Sequence, residues 1–295
     1  MSLLDGRAVG RIHSVFETAM NIQIENELLT VLAAERNLYP RSILLAESVS
    51  FTDMGFAIDS AVNIEARKIR VGEWAVIDVR DAEFVSLLVR SCASVMDSHV
   101  YRTRLHVLAD AIAQTADFTE GLAPVLCDLF YDIPFRAAHN VWSKFLMERI
   151  CRLYDALCRG DIGVCLEIGN SIAGCGPGLT PSSDDFLVGV FAALYGAAEA
   201  GMLDKKIVAD MCKNLSEGAC SRTNIISMSF LKSGAQGHFG GDILDLISAF
   251  FTPNSRDTDL MTLARRVCAS GATSGADTLV GIWFGLAACA RIQTR

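Results

Sequence analysis

Short runs of apolar residues, separated by polar and turn-forming residues, fill the first 80 positions of the chain. Residues 14–25 and 42–51 contain β-branched runs, residues 62–66 alternate between apolar and polar, and residues 74–79 form an apolar run typical of a buried strand. Glycine, aspartate and serine separate the later runs, as they do at turns. This spacing predicts a small antiparallel sheet or barrel over residues 1–80.

From residue 81 onward the apolar residues follow the period of an amphipathic helix. The spacing i, i+3, i+4 and i+7 begins at Phe84 and predicts a first helix over residues 82–97. Further helices are predicted at residues 101–115, 120–130, 136–158, 161–173, 184–200, 204–218, 222–234, 241–250, 257–269 and 277–292. The pattern therefore predicts an α+β fold, in which a small antiparallel β-rich unit (residues 1–80) precedes a large all-helical unit (residues 81–295).

Composition and charge narrow the classes of partner. The formal net charge is −8 and no run of Lys or Arg occurs, so a nucleic-acid partner is not expected. The longest apolar stretches, residues 186–200 and 278–290, are shorter than the roughly 20 residues of a membrane span, so we expect buried core helices there and no membrane partner. Ten cysteines without a C-x-x-C pair predict reduced thiols that pack in the core, and a cytoplasmic location.

The segment at residues 174–189 carries the first candidate site. Its three alternating glycines can adopt positive φ and let the backbone approach a ligand. Its hydroxyls and carboxylates stand where a helix is predicted to begin, and a helix N-terminus favours a phosphate or carboxylate. The residues concerned are Gly174, Gly176, Gly178, Thr180, Ser182, Ser183, Asp184 and Asp185.

A second segment repeats this arrangement about ninety residues later. Residues 185–189 and 277–281 share the pattern D-x-L-V-G, and each follows a Gly-x-Thr turn and opens an apolar helix. We expect the two loops to lie near each other and to form a two-sided cradle for an anion. The second loop contributes Thr273, Ser274, Gly275 and Asp277.

One such loop alone would be ordinary helix capping. For each of these residues, a purely structural role as a helix cap stays open beside ligand binding. Asp184 and Asp185 cannot both cap one helix, so one of them is free to bind a cation or a substrate donor. This pair is the candidate metal site, with Mg²⁺ as the ion it could hold. The segment lacks the Gly-Lys-Ser/Thr ending of a phosphate-binding P-loop and the glycine spacing of a dinucleotide fingerprint.

Polar residues between the two loops are weaker candidates. Asn224 and Ser227 would share one face of a helix, and either contact a ligand or are satisfied internally. The histidines stand too far apart in sequence for a metal site and are expected to be structural. The predicted substrate-binding residues are Gly176, Gly178, Thr180, Ser182, Asp184, Asp185, Asn224, Ser227, Thr273, Ser274, Gly275 and Asp277.

These motifs resemble the AllH-type family. The first loop, the Ser-x-x-Phe-Leu pattern at residues 227–231 and the second loop carry the resemblance, which runs from about residue 10 to residue 290. Two positions depart from the family pattern. Ser183 stands where relatives often have glycine, and Ala272 stands where they often have histidine.

The resemblance implies a subunit of oxamate carbamoyltransferase, which acts late in anaerobic allantoin breakdown. That enzyme interconverts oxalurate plus phosphate with oxamate plus carbamoyl phosphate, and works with other subunits. Such a transfer requires positioning and stabilisation of an oxyanion, and no protein nucleophile. No catalytic residue is therefore assigned. The alternative is a non-catalytic subunit that binds a small acid or phosphate and regulates or scaffolds an assembly.

Overall fold

The computed structural model describes residues 2–73, 75–90, 96–130 and 133–293. The chain divides into two compact units, Met1–Leu87 and Leu88–Arg295. The first is built on a β sheet and the second on helices, which is the α+β arrangement predicted from the sequence.

The first unit opens with one helical turn and continues as a seven-stranded sheet in the order β4-β3-β2-β1-β5-β6-β7. Adjacent strands are antiparallel except β3 and β4, which are parallel. The elements are α1 (Ser2–Asp5), β1 (Arg7–Val15), β2 (Ala19–Ile24), β3 (Glu27–Leu32), β4 (Ser42–Leu44), β5 (Ala61–Glu65), β6 (Lys68–Val71) and β7 (Ala75–Asp78).

Alternation between the two faces of the sheet explains the core of this unit. In β5, Val62 and Ile64 are buried and their neighbours are exposed, as period-2 alternation requires. The predicted run over residues 42–51 forms a strand only at Ser42–Leu44. Trp74, which was predicted to begin the last strand, lies outside the described residues.

The predicted helix at residues 82–97 is wrong over the residues that the structure describes there. Residues 82–87 form no helix, and Leu88 pairs with His238 in an isolated antiparallel bridge. Phe84 is 72% exposed. An amphipathic helix gains most of its stability by burying its apolar face, and here Phe84 and Leu88 of that face stay exposed. Residues 91–95 lie outside the described residues.

The remaining helical predictions are confirmed, with bounds that shift by a few residues, except that the helix predicted over residues 120–130 is only a 3₁₀ turn and a four-residue helix. In the second unit the structure describes α2 (Ser98–Thr115), a 3₁₀ turn at Ala123–Val125 that leads into α3 (Leu126–Leu129), α4 (Val141–Arg159), α5 (Ile162–Ile172), α6 (Ser182–Glu199), α7 (Lys205–Cys220), α8 (Ile225–Gly234), α9 (Gly241–Phe251), α10 (Asp257–Cys268) and α11 (Ser274–Gln293).

Capping residues account for the larger shifts of a helix start. The helix predicted from residue 136 begins at Val141, because the Asn140 side chain accepts hydrogen bonds from the N–H groups of Trp142 and Ser143. The helix predicted from residue 222 begins at Ile225 because Asn224 caps it in the same way.

Helices α6 and α11 form the centre of the second unit. Helix α11 packs on α2, α4 and α10, and α6 packs on α7, α8 and α9. Both are buried along most of their length, as expected for the two apolar stretches. The segment Ser274–Ile292 is long and apolar enough to cross a membrane, but 83% of it is buried within the unit, as in a core helix.

The cysteines at 151, 158 and 165 do not share one helix. Cys151 and Cys158 lie on α4, and Cys165 lies on α5 after the turn at Gly160. All three are free thiols, and burial raises the pKa of Cys165 to about 12. As predicted, these cysteines are reduced and pack within the helical unit.

Candidate functional site

Two glycines let α6 and α11 pack backbone against backbone. A Cβ added at Gly189 would lie 2.1 Å from the carbonyl oxygen of Thr278, and one at Gly281 would lie 2.0 Å from that of Phe186. Both distances are far below van der Waals contact, so only glycine allows this approach. These glycines end the repeated D-x-L-V-G pattern. The repeated sequence pattern therefore corresponds to a crossing of α6 and α11 at which each helix contributes a glycine.

The crossing brings the two predicted loops together. The hydroxyl oxygens of Thr180 and Ser274 lie 2.7 Å apart, so the loops are joined by a direct hydrogen bond across 94 residues of sequence. The structure thus places the N-termini of α6 and α11 side by side, as the shared pattern predicted.

The residues that open the two helices interact reciprocally. Each helix begins with Ser-x-x-Asp, at Ser182–Asp185 in α6 and at residues 274–277 in α11. In a capping box the acidic residue bonds back to its own helix start. Burial raises the pKa of both carboxyls; the hydroxyls of Thr180 and of Ser274 in α11 partly offset this for Asp185 of α6, and the hydroxyl of Ser182 in α6 does so for Asp277 of α11. Each aspartate therefore interacts with the serine that opens the other helix.

Asp184 serves a different purpose from its neighbour. Its Oδ1 accepts a hydrogen bond of 2.8 Å from the N–H of Gly174, and its Oδ2 accepts one from the hydroxyl of Thr223. Asp184 is 1% exposed, and burial raises its pKa while these donors lower it. This carboxyl therefore ties the glycine-rich loop and the start of α8 to α6.

Asp277 connects the site to the segment before α3. Its Oδ1 accepts a hydrogen bond of 2.7 Å from the N–H of Leu122. A Cβ added at Gly121, where φ is +75°, would lie 2.7 Å from the same oxygen. Sequence reasoning missed this contact, because nothing local marks two residues that meet across 155 positions.

Three buried carboxyl groups dominate the electrostatics. Burial raises the pKa of Asp277 to about 7 and that of Asp185 well above its usual range, and the nearby carboxylates of Asp277 and Asp184 raise that of Asp185 further. Desolvation favours the neutral form of each acid. The neutral form of Asp185 carries a hydroxyl that can donate a hydrogen bond.

Several buried oxygens at the site make no hydrogen bond of standard geometry within the chain. A buried polar group without a partner costs about 1–3 kcal/mol, and folded proteins keep few of them. Among the described residues, four such oxygens cluster where α6, α8 and α11 begin. They are Ser182 Oγ, Asp185 Oδ2, Ser227 Oγ and Asp277 Oδ2.

The other predicted residues hold the loops in place. Asn224 caps α8 through its oxygen and donates its Nδ2 to the carbonyl of Leu179, so its side chain is fully engaged. A Cβ at Gly176 would lie 2.4 Å from the backbone nitrogen of Ser182, and φ there is +130°. Gly178, also at positive φ, is exposed at the rim, and Thr273 starts α11 by accepting the N–H of Asp277 on its carbonyl.

The two departures from the family pattern lie in different surroundings. Ser183 is fully buried and its Oγ accepts a hydrogen bond of 2.9 Å from the N–H of Cys175. The equivalent position of α11 is Gly275, where a Cβ would lie 2.0 Å from the carbonyl of Val267. Serine is accommodated in the first loop because Cys175 supplies a donor. Ala272 is exposed and lies two residues before Ser274.

The paired aspartates do not make a complete ligand set for a metal ion. Both oxygens of Asp184 already accept hydrogen bonds from protein donors. In residues 2–73, 75–90, 96–130 and 133–293, no group of three or more His, Cys, Asp or Glu side chains could hold a metal ion.

Two arginines, Arg149 and Arg222, have atoms close to the glycine-rich loop. Burial raises the pKa of the Cys175 thiol, and the nearby guanidinium of Arg149 partly offsets this effect. Arg222 is exposed, and its carbonyl oxygen would lie 2.2 Å from a Cβ at Gly174. Arg149 therefore brings positive charge close to Cys175 of the glycine-rich loop, and the backbone of Arg222 packs against Gly174.

Comparison with protein families covers both units. The family model described as oxamate carbamoyltransferase subunit AllH matches residues 172–286, which include both loops, and the model of the AllH family N-terminal domain matches residues 1–84. Together they span about two thirds of the chain. No solved structure matches it significantly. With both characteristic regions matched in order, the chain belongs to the AllH family of oxamate carbamoyltransferase subunits.

Proposed function

We propose that this chain binds the carbamoyl-bearing substrate of an oxamate carbamoyltransferase between the N-termini of α6 and α11, as one subunit of a larger assembly. The reaction converts oxalurate and phosphate into oxamate and carbamoyl phosphate, and the reverse. Membership of the family supports the subunit role. The geometry of the two loops supports the location of the ligand.

The unpartnered buried oxygens are the observation that carries this proposal. Ser182, Asp185, Ser227 and Asp277 each leave a buried oxygen without a hydrogen bond of standard geometry at one place in the fold. A carbamoyl or ureido group offers N–H donors and a carbonyl acceptor, and the neutral form of the Asp185 carboxyl can donate to such a carbonyl. A ligand of this kind would satisfy groups that the folded chain leaves unsatisfied.

Graded burial supports a route to these oxygens. The hydroxyls of Thr180 and Ser274 are part-buried, whereas Asp185, which lies close to both, is 8% exposed. A ligand that replaces the Thr180–Ser274 hydrogen bond with its own would reach Asp185 directly. The same hydroxyls then change partners without losing their hydrogen bonds.

The anionic end of the substrate would lie toward the rim. Backbone N–H groups at the starts of α6 and α11 favour a phosphate or carboxylate. Arg149 and Arg222, beside the glycine-rich loop, supply opposite charge. The buried hydroxyl and carboxyl oxygens can accept the N–H groups of an amide and offer no positive charge to a phosphate, so this orientation places the amide end inward and the anion outward.

Proton transfer gives Asp277 a role in this scheme. A phosphate oxygen attacks the ureido carbonyl carbon of oxalurate, and the bond from that carbon to the oxamate nitrogen breaks. Hydrogen phosphate gives up one proton on attack and the leaving nitrogen gains one. A carboxyl with a pKa near the working pH can both take and give that proton, and burial raises the pKa of Asp277 to about 7. We assign Asp277 to this step.

Binding and turnover measurements test the proposal. Calorimetric titration of carbamoyl phosphate, with and without Mg²⁺, should show one site per chain. Asp185→Asn should weaken binding by about 1–3 kcal/mol, as for a lost hydrogen bond to a charged or acidic group. Asp210→Asn is the control, since Asp210 is exposed on α7 and forms an ion pair with Lys206. Equal binding by both variants would contradict the site.

The alternative is a non-catalytic regulatory or scaffold subunit. Measurements of turnover distinguish it from a catalytic subunit. Oxamate formation from oxalurate and phosphate should be measured with the chain alone and with the other subunits. Loss of turnover in the Asp277→Asn variant, with substrate binding retained, supports a catalytic site in this chain. Unchanged turnover with that variant in the complete assembly would leave the chain a binding or scaffold subunit.

A further inference from the structure

A second cavity lies on the helical unit, away from the two loops. It is a half-open cleft of about 190 Å³ between α2, α3, α4 and α11. At roughly 10–15 Å³ for each water-sized sphere, this volume encloses roughly a dozen heavy atoms, and a larger ligand would extend through the open side. Nothing in the family match or in the proposed function assigns a role to it.

The rim of the cleft is basic. Arg102 and His106 reach it from adjacent turns of the exposed face of α2, and Arg291 reaches it from the end of α11. None of the described residues that line the cleft is acidic. In a chain with a net charge of −8, three basic side chains around one cavity favour a negatively charged ligand.

The floor of the cleft is aromatic. Trp283 is 5% exposed and meets Phe130 edge to face, with ring centroids 4.3 Å apart. The indole N–H of Trp283 donates to the carbonyl of Leu105 at 2.8 Å, so its polar group is already paired and the ring contributes an apolar face. The guanidinium of Arg291 lies 5.4 Å from the ring centroid of Tyr154. Flat groups stack favourably on such rings.

We propose that this cleft is a second binding site, for a planar organic anion. The acidic group lies at the rim beside Arg102, whose guanidinium can bind a carboxylate or phosphate through paired hydrogen bonds. The conjugated body of the ligand lies against Trp283. An aromatic carboxylate and a nucleoside monophosphate both have this chemistry.

The cleft and the two-loop site share structural elements. Helix α11 carries Asp277 in its first turn and Trp283 six residues later, about 9 Å along the axis at 1.5 Å per residue. The 3₁₀ turn and α3 lead from Leu122, which binds Asp277, to Phe130, which lines the cleft. A ligand in the cleft therefore contacts the same helix that presents the Ser–Asp pair.

Calorimetry with three probes tests the proposal. Benzoate and uridine monophosphate carry a flat body and an acidic group, and cyclohexanecarboxylate matches benzoate in charge and size but is not flat. We expect saturable one-to-one binding of benzoate or uridine monophosphate, at least about fivefold tighter than cyclohexanecarboxylate. Which of the two binds better distinguishes a carboxylate ligand from a nucleotide. Equal binding of benzoate and cyclohexanecarboxylate, or no saturable binding of either flat probe, would overturn the proposal.

Two variants locate the binding in the cleft. Arg102→Gln removes one exposed charge and should weaken the tighter flat probe about tenfold or more, as for a lost charge-assisted hydrogen bond. Lys213→Gln, an equal charge change on the exposed face of α7, should leave binding unchanged. Ala287→Leu adds bulk within the cleft and should abolish binding while the circular dichroism spectrum is retained. Equal loss in the Lys213 and Arg102 variants would reduce the effect to net charge and refute the site.

Discussion

The two loops at the site share one pattern and differ in how each is held in place. In both, a serine opens a helix, an aspartate follows three residues later, and a glycine four residues beyond lies at the helix crossing. The first loop has an additional carboxylate, Asp184, where the second has Ala276. Asp184 binds Gly174 and Thr223, so it fastens the longer glycine-rich loop that precedes α6.

This difference separates two kinds of residue within one motif. The repeated residues build the crossing and line the site, and those among them with unpartnered oxygens are the candidates for ligand binding. The unrepeated carboxylate is engaged with protein donors and holds the loop. Substitution of the repeated residues with unpartnered oxygens should therefore change ligand binding, whereas substitution of Asp184 should change the free energy of unfolding.

The largest effect should come from the glycines at the crossing. Gly281→Ala places a Cβ 2.0 Å from the carbonyl oxygen of Phe186 and forces α6 and α11 apart. We expect a loss in free energy of unfolding of roughly 3 kcal/mol or more, as for severe overpacking, and a similar loss for Gly189→Ala. Chemical denaturation measures both.

Gly163→Ala provides the matched control. Gly163 lies in the first turn of α5, and the nearest atom to an added Cβ is 3.7 Å away. Alanine has the higher helix propensity, so this variant should be neutral or more stable by up to about 1 kcal/mol. If Gly281→Ala were as stable as Gly163→Ala, the close crossing would be refuted.

Asp184→Ala should show the next largest effect and should act on stability. It leaves the N–H of Gly174 and the hydroxyl of Thr223 without their acceptor, at a cost of roughly 2–3 kcal/mol. Asp185→Ala should cost less, because one oxygen of Asp185 has no partner to lose. Thermal denaturation of the two variants tests this order. The reverse order would show that Asp185, and not Asp184, fastens the loop.

The Asp277 carboxyl should make stability depend on pH. Its pKa is about 7 in the folded chain and about 3.9 in an unfolded one, so the folded chain binds more protons between about pH 4 and pH 7. The free energy of unfolding therefore falls as pH rises through this window and levels above pH 7. Asp185, whose pKa burial also raises, contributes in the same direction.

Asp277→Asn should remove part of this dependence. The amide oxygen can still accept the N–H of Leu122, and no buried charge forms at high pH. We expect the variant to be more stable than the parent by roughly 2 kcal/mol at pH 8, with little difference at pH 4. Denaturation at both pH values, with Asp210→Asn as an exposed control, tests this. A variant that is less stable than the parent at pH 8 would contradict the buried, high-pKa carboxyl.

Much of the fold follows from local pattern. Helical period located the helices of the second unit because most of them bury one face, and α6 and α11 were recognised as core helices from their apolar length. The helix prediction failed at residues 82–90. The apolar residues there follow a helical period, but Phe84 and Leu88 remain exposed. The turn at Ala66 and Arg67 was also missed. Both residues have positive φ in a two-residue hairpin turn, without the glycine or asparagine that usually marks one.

The site was predictable only in part for a similar reason. The repeated pattern indicated that the loops would converge, and the Thr180–Ser274 bond shows that they do. The exchange of serine and aspartate between helices depends on the angle and depth of the crossing, which sequence spacing does not specify. The contact of Asp277 with Leu122 joins residues 155 positions apart, and no local signal accompanies it.

The smallest effect concerns the hydrogen bond that joins the loops. Thr180→Val and Ser274→Ala each remove one hydroxyl of the pair, and each should lower the free energy of unfolding by about 1 kcal/mol. The double variant should lose less than the sum of the two, with a coupling energy of about 0.5–1.5 kcal/mol. Saturating carbamoyl phosphate should reduce that coupling toward zero, because the bound ligand takes the place of each hydroxyl's partner. Coupling below about 0.3 kcal/mol without ligand would show that the loops are not joined in solution. Coupling that is unchanged with bound ligand would show that the ligand binds without parting them, and would exclude entry between Thr180 and Ser274.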